Sequence, residues 1–192
     1  MCGRAIGIDV GGTKTLAAVV ETDTGRVVEV QRVDTAAAEG GAAVLERCVA
    51  MAWRLRNRPE LANAPIGVAL CEIVDPAGSP VSAATVDWIG LYVDAAFGSL
   101  GLVIVESDVH AASIAEARFG AGADVEQFVY LTVGTGIAYT LMLSGVPHRG
   151  RGGAAILLAV TDAGAQPVEV RPATLGAASA AVGAALLASK TR

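Results

Sequence analysis

The residues able to do chemistry gather at two glycine turns and one strand end. Asp9-Val10-Gly11-Gly12-Thr13-Lys14 sets a carboxylate at the end of an apolar run, then two glycines, a hydroxyl and an ammonium. Glycines let backbone N–H groups approach phosphate oxygens, and Thr13 and Lys14 would add donors and positive charge. Asp9 would meet those phosphates through Mg2+ and its waters, because a bare carboxylate and a phosphate repel. A glycine pair serves equally in a hairpin that only needs positive φ. What favours phosphate is a second turn, Thr132-Val133-Gly134-Thr135-Gly136, again rich in hydroxyls and glycine. At Glu106-Ser107-Asp108 a carboxylate follows a short apolar run and stands in the first turn of an expected helix, whose dipole stabilises the anion. Capping of that helix by Ser107 or Asp108 explains the same residues.

These groups need strands that end where the chemistry begins. Apolar runs predict strands at Arg4–Asp9, Thr15–Val20 and Val27–Arg32, the last after the turn signal Asp23-Thr24-Gly25. Val44, Leu45, Cys48, Val49, Ala52 and Trp53 keep helical spacing between Gly41 and Arg56. Further along come a strand at Pro65–Leu70, a loop-rich stretch from Asp75 to Trp88, and a helix at Val93–Leu100. A strand at Leu102–Val105 and a helix ending before Gly120 follow. Phe128–Val133 and Ala138–Leu143 form a hairpin. Ile6–Gly11 aligns with Val129–Gly134 at an offset of 123 residues, a spacing that implies two related lobes rather than a solenoid. Only about 60 residues remain from Thr132 onward, so the expected division is a full first lobe, 1–125, and a reduced second lobe, 126–192.

Composition narrows the class. The chain of 192 residues is 53% hydrophobic but 4% aromatic, and 38 residues are Ala, so its core must use small side chains and close backbone approach. A net charge of −5 argues against nucleic acid and against a basic membrane patch. Cys2, Cys48 and Cys71 are too few and too scattered for a disulfide framework, and the isolated His110 and His148 suggest no metal site. Two uncharged runs reach membrane-spanning length, Gln127–Pro147 and Pro172–Ser189. The first reads as strand, turn and strand, and the second holds few large apolar side chains. Asp9 interrupts the first apolar stretch and no cleavage signal follows it, so a soluble cytoplasmic protein is expected.

Ile6–Lys14 resembles the first phosphate motif of the actin-like ATPase superfamily, and Leu131–Ile137 resembles its second. Within it, Gly67-Val68-Ala69-Leu70, Val74-Asp75, Gly78 and Trp88 resemble the substrate loop of the ROK family of glucokinase-like sugar kinases and sugar-responsive repressors. Glu106-Ser107-Asp108 with Ala111 and Ala112 resembles its catalytic motif. Gly145, Arg149 and Gly150 match the loop after its second hairpin, and Leu175-Gly176, Ala180 and Gly183-Ala184-Ala185 its C-terminal helix. The resemblance implies an α/β, ribonuclease H-like/actin-like ATPase fold with a complete N-terminal lobe and a truncated C-terminal lobe. It implies ATP- and Mg2+-dependent phosphorylation of a hydroxyl of a sugar, amino sugar or cyclitol. Asp108 would be the general base and Asp9 the carboxylate that holds Mg2+ through water. Gly11, Gly12, Thr13, Lys14, Thr132, Gly134, Thr135 and Gly136 would clamp phosphate. Ser107, Asp87 and Trp88 would bind substrate, although an indole in Trp88's place serves as often to plug a core.

Departures from the pattern bear on activity. Ser107 replaces the usual Asn, Cys71-Glu72 replaces Pro-Gly, and Gly152-Gly153-Ala154-Ala155-Ile156 stands for Gly-Glu-x-Gly-His. The Cys-rich zinc motif and the adenosine-binding turn are not found, so no zinc site is expected. A catalytically inactive sugar- or nucleotide-binding relative is therefore the alternative. The repressor branch is not expected, because the chain opens on the first strand without a preceding helix-turn-helix. A shortened lobe should leave apolar faces that a homodimer would cover.

Overall fold

The computed structural model describes residues 3–133, 137–150 and 171–190. β1 (Arg4–Val10), β2 (Lys14–Glu21) and β3 (Val27–Asp34) form an antiparallel meander, which α1 (Gly41–Arg56) follows. β4 (Ile66–Leu70) and β5 (Val103–Ser107) then add in parallel on the other side of β1, giving the order β3-β2-β1-β4-β5. The expected helix at Val93–Leu100 is one α-turn, α2 (Val93–Ala96), and a separate 3-10 turn at Gly98–Leu100. Phe97 between them is fully buried, and Gly98 and Gly101 interrupt the helix. α3 (Asp108–Phe119) leaves β5 directly. β6 (Gln127–Val133), β7 (Ile137–Leu143) and the short β8 (Val146–Pro147) make a second antiparallel sheet. α4 (Ser179–Ser189) is the last element. The uncharged run Gln127–Pro147 thus folds as strands, and among the described residues no helix is long and apolar enough to cross a membrane.

The period of two along each strand sorts the side chains of the first sheet by size. Ile6, Ile8 and Val10 of β1 and Ile66, Val68 and Leu70 of β4 face a core with Val44, Cys48, Met51 and Leu55 of α1. The intervening residues, Ala5, Gly7, Gly67 and Ala69, face α3 and α4. A Cβ on Gly7 would collide with the carbonyl oxygen of Ala181, one on Gly67 with that of Ala184, and one on Gly183 with that of Ala111. Helix α4 therefore lies on β1, β4 and α3 backbone to backbone, the close approach that so alanine-rich a composition requires. Although α4 belongs by sequence to residues 126–192, its contacts are with the first sheet and α3.

Candidate active site

Asp9 and Asp108 come together at the carboxyl ends of the parallel strands, the place where open α/β sheets bind ligands. Asp9 falls at the penultimate residue of β1, on the face that looks toward α3 and α4. Asp108 begins α3 immediately after β5, and its Oδ1 accepts the Val109 N–H at 2.7 Å. Ser107, in the N-cap position, makes no side-chain capping bond. Both carboxylates line a cavity of about 220 Å³, closed by Val109, Ala112, Tyr130, Thr132 and the start of α4 at Ser179 and Ala180. That volume lies below the ~300–1,000 Å³ of typical ligand pockets. A larger, mostly apolar groove of about 690 Å³ is lined by Leu45, Val49, Trp53 and Leu91 with the exposed Glu46 and Arg54, and has no pair of carboxylates.

The electrostatics of the pair differ from those of the neighbouring carboxylates. Burial, reinforced by the charge of Asp108, pushes Asp9 up to about 7. Burial pushes Asp108 up to about 6, with Glu72 adding to the shift and the Val109 N–H opposing it. By contrast, Glu106 is buried but accepts from the Ser107 N–H, His110 Nδ1 and Arg149, and is held below the ordinary carboxylate range. Burial alone raises a carboxyl pKa, whereas donors aimed at the anion lower it. Glu106 is thus an ionised anchor, while Asp9 and Asp108 are a coupled pair of carboxyls, with burial the main cause that raises each. Cys71 is no nucleophile here, because burial, then Asp108 and Glu72, push its thiol to about 12.

Two hard-oxygen carboxylates on one water-accessible cavity suit Mg2+, which keeps waters and takes one or two protein carboxylates beside phosphate oxygens. Among the described residues no group of three or more His, Cys, Asp or Glu side chains could hold a metal without such help.

Of the residues singled out by sequence, Asp9, Asp108 and Thr132 line the cavity. Gly11, Gly12 and Thr13 are not among the residues that line it; their turn follows β1 and is braced by Thr35, whose Oγ1 donates to the Gly11 carbonyl at 2.6 Å and whose N–H donates to that of Thr13 at 2.9 Å. Arg47 in turn donates to the Thr35 carbonyl at 2.7 Å. Lys14 does not join the cavity in this structure: it opens β2 directly opposite Asp34, and its ammonium is 2.8 Å from that carboxylate. Trp88 is 1% exposed within the α1-side core, so its faces are not open to stack on a ring. Ser107 is buried at the junction of β5 and α3, and Asp87 is exposed, its Oδ1 accepting the Ile89 N–H at 3.1 Å. Gly134, Thr135 and Gly136, like Gly152–Ile156, lie outside the described residues. Tyr130 and Ser179 were not anticipated. Both line the cavity wall, and the sequence signal was Tyr130's place two residues before Thr132 on one strand face.

The ROK family model matches residues 5–158. The glucokinase of Streptomyces coelicolor is 30% identical over 158 residues, which are 80% of this chain and 48% of that protein. Among solved structures, the inorganic polyphosphate/ATP-glucomannokinase of Arthrobacter sp. strain KM superposes with a TM-score of 0.68 at 36% identity, over 76% of this chain and 60% of that one. The ROK family glucokinase of Streptomyces griseus, in complex with glucose and AMPPNP, gives 0.70 at 30% identity, over 80% and 48%. The chain spans about half the length of the curated relatives it matches. With the α/β fold of these sugar kinases and a family match along most of its length, the chain belongs to the ROK family.

Proposed function

We propose that this protein transfers the γ-phosphoryl group of ATP to a hydroxyl of a hexose or a related amino sugar or cyclitol. The observation that carries this reading is the pairing of Asp9 and Asp108 on one small cavity at the carboxyl ends of β1 and β5. Asp108 takes the proton of the attacking hydroxyl as its oxygen bonds to γ-phosphorus and the bond to the β-bridging oxygen breaks, releasing ADP. Its raised pKa matches that task, since a base near 6 is mostly ionised at neutral pH yet still accepts a proton. Asp9 would hold Mg2+ through water, and the ion so held would supply positive charge against the phosphates. The backbone of Gly11 and Gly12, with Thr13 and Thr132, cradles the phosphates, and Gly134, Thr135 and Gly136 are assigned to the same clamp. Ser107 and Asp87 are assigned to the sugar, whereas Trp88, buried in the core, would support them from behind. The setting is cytoplasmic. A homodimer is favoured by the exposed Val129, Leu131, Val133 and Ile137 of the second sheet, and light scattering at the mass of one chain would reject it.

The alternative, a sugar- or nucleotide-binding protein without catalysis, is favoured by Gly152-Gly153-Ala154-Ala155-Ile156, which lacks the Glu and His of the family's usual Gly-Glu-x-Gly-His. A panel of glucose, mannose, their 2-amino derivatives and inositol, with ATP or inorganic polyphosphate as donor, separates the two. The kinase reading expects sugar phosphate from wild type and a loss of ~10³-fold or more in Asp108→Ala. Silence of both proteins, with a sugar or nucleotide still raising Tm, establishes the binding protein instead.

A further inference from the structure

Glu72 is 5% exposed and lies two residues past the end of β4, in the place of the Gly in the Pro-Gly that the resemblance leads one to expect. Its Oε1 accepts the N–H groups of Thr85 at 2.6 Å and Val86 at 3.1 Å. Its Oε2 accepts the Ala84 N–H at 2.9 Å and the Ser82 hydroxyl, while Ser82 Oγ also accepts the Ile73 N–H at 2.9 Å. Three consecutive backbone amides converging on one carboxylate form a nest for an anion built into the chain itself. The loop so gathered is pressed against the phosphate turn: Thr85 Cγ2 occupies the space that a Cβ on Gly12 would need. Two residues further, the Asp87 carbonyl fills the Cβ space of Gly41, and Trp88 is sunk in the core.

We propose that Glu72 is a positioning residue, an internal anion whose carboxylate holds residues 82–86 against the Gly11–Gly12 turn and so fixes the acceptor wall of the cleft. It touches neither the phosphates nor the transferred group; it acts through the loop. Burial works against its ionisation, but Ser82 and the three amides outweigh this and keep the carboxyl below the ordinary range. An amide in its place would turn an NH2 group toward N–H donors and lose two of the four bonds. The acceptor role of this wall rests on the sugar-kinase reading above, whereas the anchoring does not.

The test compares wild type with Glu72→Gln in the full chain by two readouts, amide exchange at Ala84, Thr85 and Val86, and separate KM values for glucose and ATP. Exchange at those amides is expected at least tenfold faster, with β4 unchanged, and the glucose KM at least tenfold higher, with the ATP KM within twofold. Unchanged exchange overturns the proposal, and so does faster exchange that leaves the glucose KM alone or raises both KM values equally. A fall in kcat alone, the mark of a smaller folded fraction, overturns it too. If Glu72→Gln does not fold, Ser82→Ala decides, with about threefold changes in the same directions expected and none overturning the proposal. If wild type phosphorylates no sugar, the kinase reading falls, and exchange in the variants still decides whether Glu72 holds the loop.

Discussion

The β1–β2 and β6–β7 hairpins carry the same sequence pattern, an apolar strand, a glycine turn and an apolar strand, yet their surroundings are opposite. β1 and β2 are buried almost throughout, with α1 on one face and α3 and α4 on the other. β6 and β7 pack α3 with one face, while Val129, Leu131, Val133 and Ile137 on the other are 52–71% exposed. Apolar alternation tells a strand which of its residues are alike, but only partner elements decide whether they are covered. The first hairpin can therefore fix a carboxylate at its end rigidly, and the second supplies Thr132 and Tyr130 from a wall that is half supported.

The sharpest way to break this contrast is at the closest contact. Gly7→Val should cost roughly 4 kcal/mol or more, because a side chain there must push α4 off β1, and urea unfolding or loss of soluble protein would report it. Val133→Thr, on the open face of the second hairpin, should stay within about 0.5 kcal/mol. Next in size, Ile8→Ala should lower stability by about 2–5 kcal/mol and Leu131→Ala by less than about 1, read from urea midpoints at constant m. Equal costs would mean that the second sheet's open face is covered in solution. A smaller effect of opposite sign is expected at Asp9. Asp9→Asn removes one of two repelling, partly buried carboxylates and should raise stability by about 1 kcal/mol above pH 7, or ~2–4 °C in Tm. The sign follows from a folded-state pKa near 7 above an unfolded value of 3.8: ionisation costs the native state most above pH 7. The gain should shrink as pH falls from 7 toward 4, and a gain independent of pH would contradict the coupled pair.

Much of the site was legible because it sits where local signals are strongest. Asp9 closes an apolar run before two glycines, and Asp108 follows a strand and opens a helix, so spacing alone put both at strand ends. What was not legible depends on residues far apart in sequence. Lys14 is taken by Asp34 because β2 and β3 pair in that register. Trp88 is drawn inward by a core that α1, β4 and β5 build together. The return of α4 to the first sheet had a signal in the lone glycines Gly7 and Gly67 inside two strands, but their partner helix is more than a hundred residues away. Glu72 looked like a departure from a loop motif, and only the folded loop supplies its four donors.

The central claim is that Asp108, raised by its buried setting, is the base for phosphoryl transfer. The direct measurement is the pH dependence of kcat/KM for sugar phosphorylation between pH 5 and 8, in wild type and Asp108→Asn. Wild type should show a tenfold fall per pH unit below an apparent pKa of about 6, because only the ionised carboxylate accepts the proton, and the variant a loss of ~10³-fold or more. Transfer by Asp108→Asn at the wild-type rate, with the same acid limb, would contradict it.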